Sequence, residues 1–148
     1  MKFVDFYVGQ ILEAGPYRID EASIVEFATQ FDPQPFHVDK LAAEGGQWGG
    51  LIASGWHTSG IAMRLVVDHI LLGSDSCGSP GLEYIQWPAP VRPGDLLSLK
   101  VEVLNVRRSQ SGKYGIVRWR WQLFNQARQS VLELTATSLF GGAQAEPP

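Results

Sequence analysis

The 148-residue chain carries 12 basic and 15 acidic side chains for a net charge of −3, and 45% of its residues are apolar. That is one domain's worth of protein, because two cores would each be too small to bury enough surface. The mild negative balance argues against nucleic acid or an anionic membrane as the main partner, and the single cysteine, Cys77, excludes an internal disulfide framework or a multi-thiolate metal site.

From the N-terminus, Met1-Lys2-Phe3-Val4-Asp5 places an acid where a signal peptide needs an unbroken apolar run, so no export signal is read and a cytoplasmic setting is expected. A strand is expected near Ile11 to Ile19. A helix follows Asp20, a good N-cap with Glu21 in the first turn, and Ile24, Phe27, Ala28 and Phe31 form one apolar stripe at i, i+3, i+4 and i+7. Pro33 ends that helix, since a residue before proline is pushed out of the α region, and Pro35 acts the same way on Gln34. The run from Phe31 to His37 therefore reads as short, stiff and mostly extended.

Asp39 is placed to cap a brief helical turn through Ala43, ended by Gly45-Gly46. A long apolar helix then runs roughly from Gly55 to Leu72. The stretch from Leu51 to Leu72 is long enough to span a membrane, but it contains Arg64, Asp68, His57 and His69. Each charge at a bilayer centre costs about 2.5–3.5 kcal/mol on insertion scales, so a buried soluble helix is the better reading. Its small residues Gly55, Ser59, Gly60 and Ala62 suit close packing against a sheet. Gly60 costs about 1 kcal/mol relative to alanine in a helix interior, and tight packing is the expected compensation.

Beyond Gly81 the hydrophobic period becomes two. Leu97, Leu99, Val101 and Val103 alternate with polar residues, as do Val117, Trp119, Trp121 and Leu123. Leu132, Leu134 and Ala136 follow a turn at 125–129, and a strand from Leu82 to Trp87 precedes the set. The economical architecture is α+β: a curved antiparallel β-sheet wrapped around one long central helix. Residues 1–148 read as a single domain, with 141–148 as a flexible tail.

Against that architecture, Asp32-Pro33-Gln34-Pro35-Phe36-His37-Val38-Asp39 followed by Ala53-Ser54-Gly55 at the start of an apolar helix resembles the MaoC-like hydratase/dehydratases of the hotdog fold. These include the (R)-specific enoyl-CoA hydratases. The family pattern is aspartate, any residue, asparagine, proline, any residue, histidine, then a glycine opening the central helix; Pro90-Val91-Arg92-Pro93-Gly94-Asp95 resembles the usual entry to the second half. The resemblance runs from about Val8 to Leu139. It implies addition of water to the double bond of a 2-enoyl thioester, or the reverse elimination, with Asp32 and His37 holding one water between them. Hydration needs a base for the water proton and an acid for the α-carbon, and a carboxylate and an imidazole facing one water can divide those tasks. Asp32 is expected to activate water and His37 to orient it and carry the proton. The Gly55 N–H at a helix start suits the enolate oxygen, because orphan N–H groups and the helix dipole favour negative charge there.

The resemblance implies no metal or redox cofactor; coenzyme A, or acyl-carrier protein, is the substrate's handle. Gln34, Ser54, Trp56, His57 and Met63 are the expected substrate-binding residues. Gln34 departs from the family's asparagine, and Met63 stands where well-studied (R)-hydratases carry a serine, although a thioether cannot donate a hydrogen bond. Arg107 and Arg108, beside a turn at 109–112, are offered as contacts for coenzyme A phosphates, with a solvated hairpin end as the plainer alternative. A homodimer is expected, since a lone hotdog unit leaves a sheet edge open.

By themselves, an aspartate at a helix-to-proline turn and a histidine satisfied by backbone need no catalytic role; the whole-chain resemblance is what favours one. Two rival activities stand beside hydration: a hotdog acyl-CoA thioesterase, in which the carboxylate directs water onto the carbonyl, and a non-catalytic acyl-thioester-binding subunit.

Overall fold

The computed structural model describes residues 1–143. Five antiparallel strands form one sheet in the order β1-β3-β4-β5-β2. They are β1 (Ile11–Arg18), β2 (Ser76–Gln86), β3 (Leu96–Arg108), β4 (Gly115–Phe124) and β5 (Ser130–Phe140). Between β1 and β2 lie four helices, α1 (Glu21–Phe31), α2 (Pro35–Val38), α3 (Lys40–Glu44) and α4 (Gly55–Val66). No helix among the described residues is long and apolar enough to cross a membrane.

Period-two patterning places the core. On β3 the side chains of Leu97, Leu99, Val101 and Val103 are buried, and on β4 those of Val117, Trp119, Trp121 and Leu123. Their polar alternates face outward, where Arg120 pairs with Glu102 on the neighbouring β3 and Arg118 reaches across β5 to Glu83 on β2. Against the apolar face lies α4, which contributes Ile61, Ala62, Leu65 and Val66 to the same core. A residue of this size transfers roughly 1.5–3 kcal/mol of hydrophobic free energy when fully buried, so this layer supplies much of the drive to fold. Trp119 sits at its centre, fully buried, with its indole N–H donating to Ser138 Oγ at 3.0 Å.

Local signals set the helix boundaries. Asp20 accepts from Ser23 N at 2.7 Å and Asp39 from Ala42 N at 3.1 Å, so both expected N-caps form. The α4 segment continues as a wider π turn over Val67–Leu71, closed by a 2.8 Å bond from Leu72 N–H to Val67 O. In β1 the ladder breaks between Ala14 and Tyr17, where Pro16 has no N–H to give.

Four expectations need correction. Residues Pro35–Val38 form a helical turn rather than extended chain, because proline at the first helical position has a φ already suited to a helix. Gly60 is exposed, and a Cβ placed on it would meet nothing within 4 Å outside its own helix backbone among the described residues, so no neighbour packs closely there; the close approach is at Gly55 instead. The strand expected from Leu82 begins earlier, at Ser76. The tail expected over 141–148 does not start at 141: Gly141 N–H donates to Asp75 O at 2.7 Å and Ala143 is buried. The remainder of that stretch, 144–148, lies outside the described residues.

Candidate active site

The end of α1 and the start of α2 position the two groups that matter most. Asp32 is the C-cap of α1, its N–H bonded to Ala28 O at 2.8 Å. Pro33 and Pro35 then turn the chain so that His37, on α2, comes back to it. His37 Nε2 lies 3.2 Å from Asp32 Oδ2.

Two backbone clamps hold that arrangement. The N–H of Ile52 donates to Phe36 O at 3.1 Å, and its carbonyl accepts from His37 Nδ1 at 2.6 Å. Ala53 N–H donates to Val91 O at 2.8 Å, tying the strand-like lead into α4 to the Pro90-Val91 segment. A carbonyl only accepts, so Nδ1 carries the proton and a neutral His37 has its lone pair on Nε2. Nε2 and Oδ2 can then make a hydrogen bond only by sharing a further proton. The pair lies beside a cleft.

Asp32 is well supported as a carboxylate. Burial pushes its carboxyl up, but the Gln34 hydrogen bond, the nearby Ser54 hydroxyl and the neighbouring His37 outweigh that and hold it below the ordinary carboxylate value. Gln34 Nε2 donates to Asp32 Oδ1 at 2.7 Å, so the longer amide that departs from the family pattern still reaches the carboxylate. The Ser54 hydroxyl is wholly buried and has no hydrogen-bond partner at standard geometry among the described residues, yet it lies near enough to help stabilise that charge.

His37 opens onto a cleft of about 220 Å³ that Gly55 also lines. Its walls are mostly apolar: Trp48, Ala53, Trp87, Ala89 and Val131. Gly55 is the first residue of α4, whose first-turn N–H groups have no intrahelical partner. A Cβ there would lie 2.5 Å from the Trp87 indole, so only glycine lets that ring close over the helix start. The cleft thus places an imidazole and a helix N-terminus on one apolar pocket. Asp32 is not among the lining residues and meets the cleft through His37.

The remaining expected residues divide. Trp56 and Met63 line a second cavity, of about 290 Å³, between α4 and the inner face of the sheet. His57 is half-buried and stacks on Phe27 with ring centres 4.7 Å apart. Burial pushes its imidazole below the usual value against the opposing pull of Asp20, and it does not line the cleft. Arg107 and Arg108 are exposed at the end of β3 and line neither cavity. Sequence reasoning missed Trp48, Trp87 and the Ile52 carbonyl. The two tryptophans carried a signal, large aromatics in Gly- and Pro-flanked loops; the carbonyl carried none.

Known proteins share this fold. A MaoC-like dehydratase from Rhodospirillum rubrum superposes with a TM-score of 0.86 at 38% identity, covering 98% of this chain and 97% of that one. The R-hydratase PhaJ1 from Pseudomonas aeruginosa gives a TM-score of 0.72 at 25% identity over 99% of this chain and 92% of its own. The uncharacterized protein YdeM of Bacillus subtilis is 32% identical over 133 residues, 90% of this chain and 94% of its own length. The fold is the hotdog fold. The MaoC like domain matches residues 6–120, and the chain belongs to that hydratase/dehydratase family.

Proposed function

We propose that the protein hydrates the double bond of a 2-enoyl acyl-CoA thioester, or catalyses the reverse dehydration, with Asp32 and His37 as the acid–base pair and Gly55 N–H as the oxyanion donor. The observation that carries this is the 3.2 Å contact between His37 Nε2 and Asp32 Oδ2 at the edge of a cleft that the α4 N-terminus also lines.

At that separation one water at ordinary hydrogen-bond length, about 2.8 Å, touches both atoms at once. In the hydration direction Asp32 takes a proton from the water as its oxygen bonds to the β-carbon. The electron pair of the double bond moves to the α-carbon and the thioester oxygen, giving an enolate. Gly55 N–H meets that oxygen; a donor of this kind is typically worth about 3 kcal/mol. The shared proton on His37 Nε2 passes to the α-carbon, and the proton on Asp32 crosses back to Nε2, restoring the pair. Ile52 O keeps Nδ1 protonated, so the ring always presents Nε2 to this exchange.

Coenzyme A is the substrate's handle in this reading, with acyl-carrier protein as the alternative carrier, and no metal or redox cofactor is called for. We also propose a homodimer in the cytoplasm. Strand β2 is one edge of the sheet and its residues are largely exposed, so its outer backbone groups are open to pairing with a second copy.

The test is incubation of the purified protein with crotonyl-CoA while enoyl absorbance and free thiol are followed together. Hydration removes the absorbance and releases no thiol. Thiol release in step with substrate loss identifies a thioesterase, and binding without either change identifies a non-catalytic acyl-thioester-binding subunit.

A further inference from the structure

Trp87 stands between the two cavities. Its indole packs on Gly55, which lines the cleft, and its Nε1 donates to Ser59 Oγ at 3.2 Å, which lines the second cavity. Its edge meets Trp56, also a wall of the second cavity, with ring centres 5.4 Å apart at 74°. The indole itself lines only the cleft. Gly55, Ser59 and Met63 follow one another at i, i+4 and i+8 on α4, so a chain leaving the helix start along that face passes from cleft to cavity at the point the indole occupies.

The second cavity has the character of an acyl compartment. It holds about 290 Å³, is walled by Leu82, Ile85, Leu134 and Met63, and is roughly twice the size of an apolar cavity that takes one benzene ring. Trp121, 6% exposed, contributes to its wall, and its indole N–H has no hydrogen-bond partner among the described residues. A donor left free in this way is uncommon.

We propose that Trp87 determines acyl-chain length: it confines the substrate to the cleft, selecting short-chain thioesters, and shuts off a preformed second cavity that would accept a longer chain. This rests on the acyl-thioester reading above. Each methylene moved from water into an apolar site strengthens binding about four-fold, so removing the partition gives a large and chain-length-dependent gain.

The experiment measures binding by calorimetry, with saturated butyryl-CoA and decanoyl-CoA as probes that cannot be hydrated. Trp87→Ala should tighten decanoyl-CoA at least tenfold relative to butyryl-CoA. Adding Met63→Trp, at a partly exposed site that refills the cavity, should abolish that gain. Equal changes for both thioesters, or a decanoyl-CoA gain that survives Met63→Trp, would overturn the proposal. Because the probes need no turnover, a protein that shows this binding pattern but leaves crotonyl-CoA unchanged refutes the hydratase reading and not the role of Trp87.

Discussion

The carbonyl of Ile52 accepts a 2.6 Å hydrogen bond from His37 Nδ1 and leaves Nε2 turned to the Asp32 carboxyl 3.2 Å away. Main chain thereby fixes both the tautomer and the direction of the imidazole, and the ring cannot flip without leaving a buried carbonyl unpaired. Replacing His37 by Gln keeps one donor for Ile52 O but removes the proton carrier. Turnover of crotonyl-CoA should fall about 10²–10⁴-fold, the usual contribution of a positioned acid or base. Steady-state kinetics on the folded variant check this.

Asp32 also links pH to stability. Its carboxyl is held below the ordinary value in the folded state by the outcome of opposing effects: burial raises it, while Gln34, Ser54 and His37 lower it by more. A folded-state value below the unfolded one contributes stability above the unfolded value, near 3.9, and that contribution is lost as pH falls through the folded value. The stability difference between wild type and Asp32→Asn should therefore narrow as pH drops from about 5 to 3. Urea unfolding at the two pH values measures it, and a gap that widens towards acid contradicts the assignment.

Gly55 packs against the Trp87 indole and is the oxyanion donor in the proposed reaction, and a single methyl group separates the two. Gly55→Ala retains the N–H but drives a Cβ to 2.5 Å from the Trp87 ring. Overpacking of this kind typically costs about 1–3 kcal/mol. Thermal unfolding should show that loss, and Trp87→Leu in the same chain should recover most of it.

Ser138 holds the indole N–H of Trp119, a fully buried side chain at the centre of the core. Ser138→Ala leaves that donor unpaired, with an expected loss of about 1–3 kcal/mol in chemical denaturation. Catalysis should change little, because neither residue lines the cleft.

The parts of the fold that were legible in the sequence are those that repeat. Period-two patterning marked β3, β4 and β5, and the i, i+3, i+4, i+7 stripe with Asp20 before it marked α1. The Asp32-to-His37 spacing and the glycine at the helix start marked the candidate site before any contact was visible. Proline misled at Pro35, because the ring that ends one helix is equally suited to begin the next. Gly60 misled because a missing side chain says nothing about whether a neighbour fills the space. The placements of Met63 and Trp56 on a second cavity, and of Trp87 across Gly55, depend on how β2 and the loop after it return to α4. The Ile52 carbonyl was invisible for a simpler reason: every residue has one, and only the fold aims it.

The most direct measurement of the acid–base account is crotonyl-CoA hydration by Asp32→Asn and His37→Ala, each confirmed folded by circular dichroism. Both should lose at least about a hundredfold in kcat/KM. Turnover at the wild-type rate in the two folded variants would contradict it.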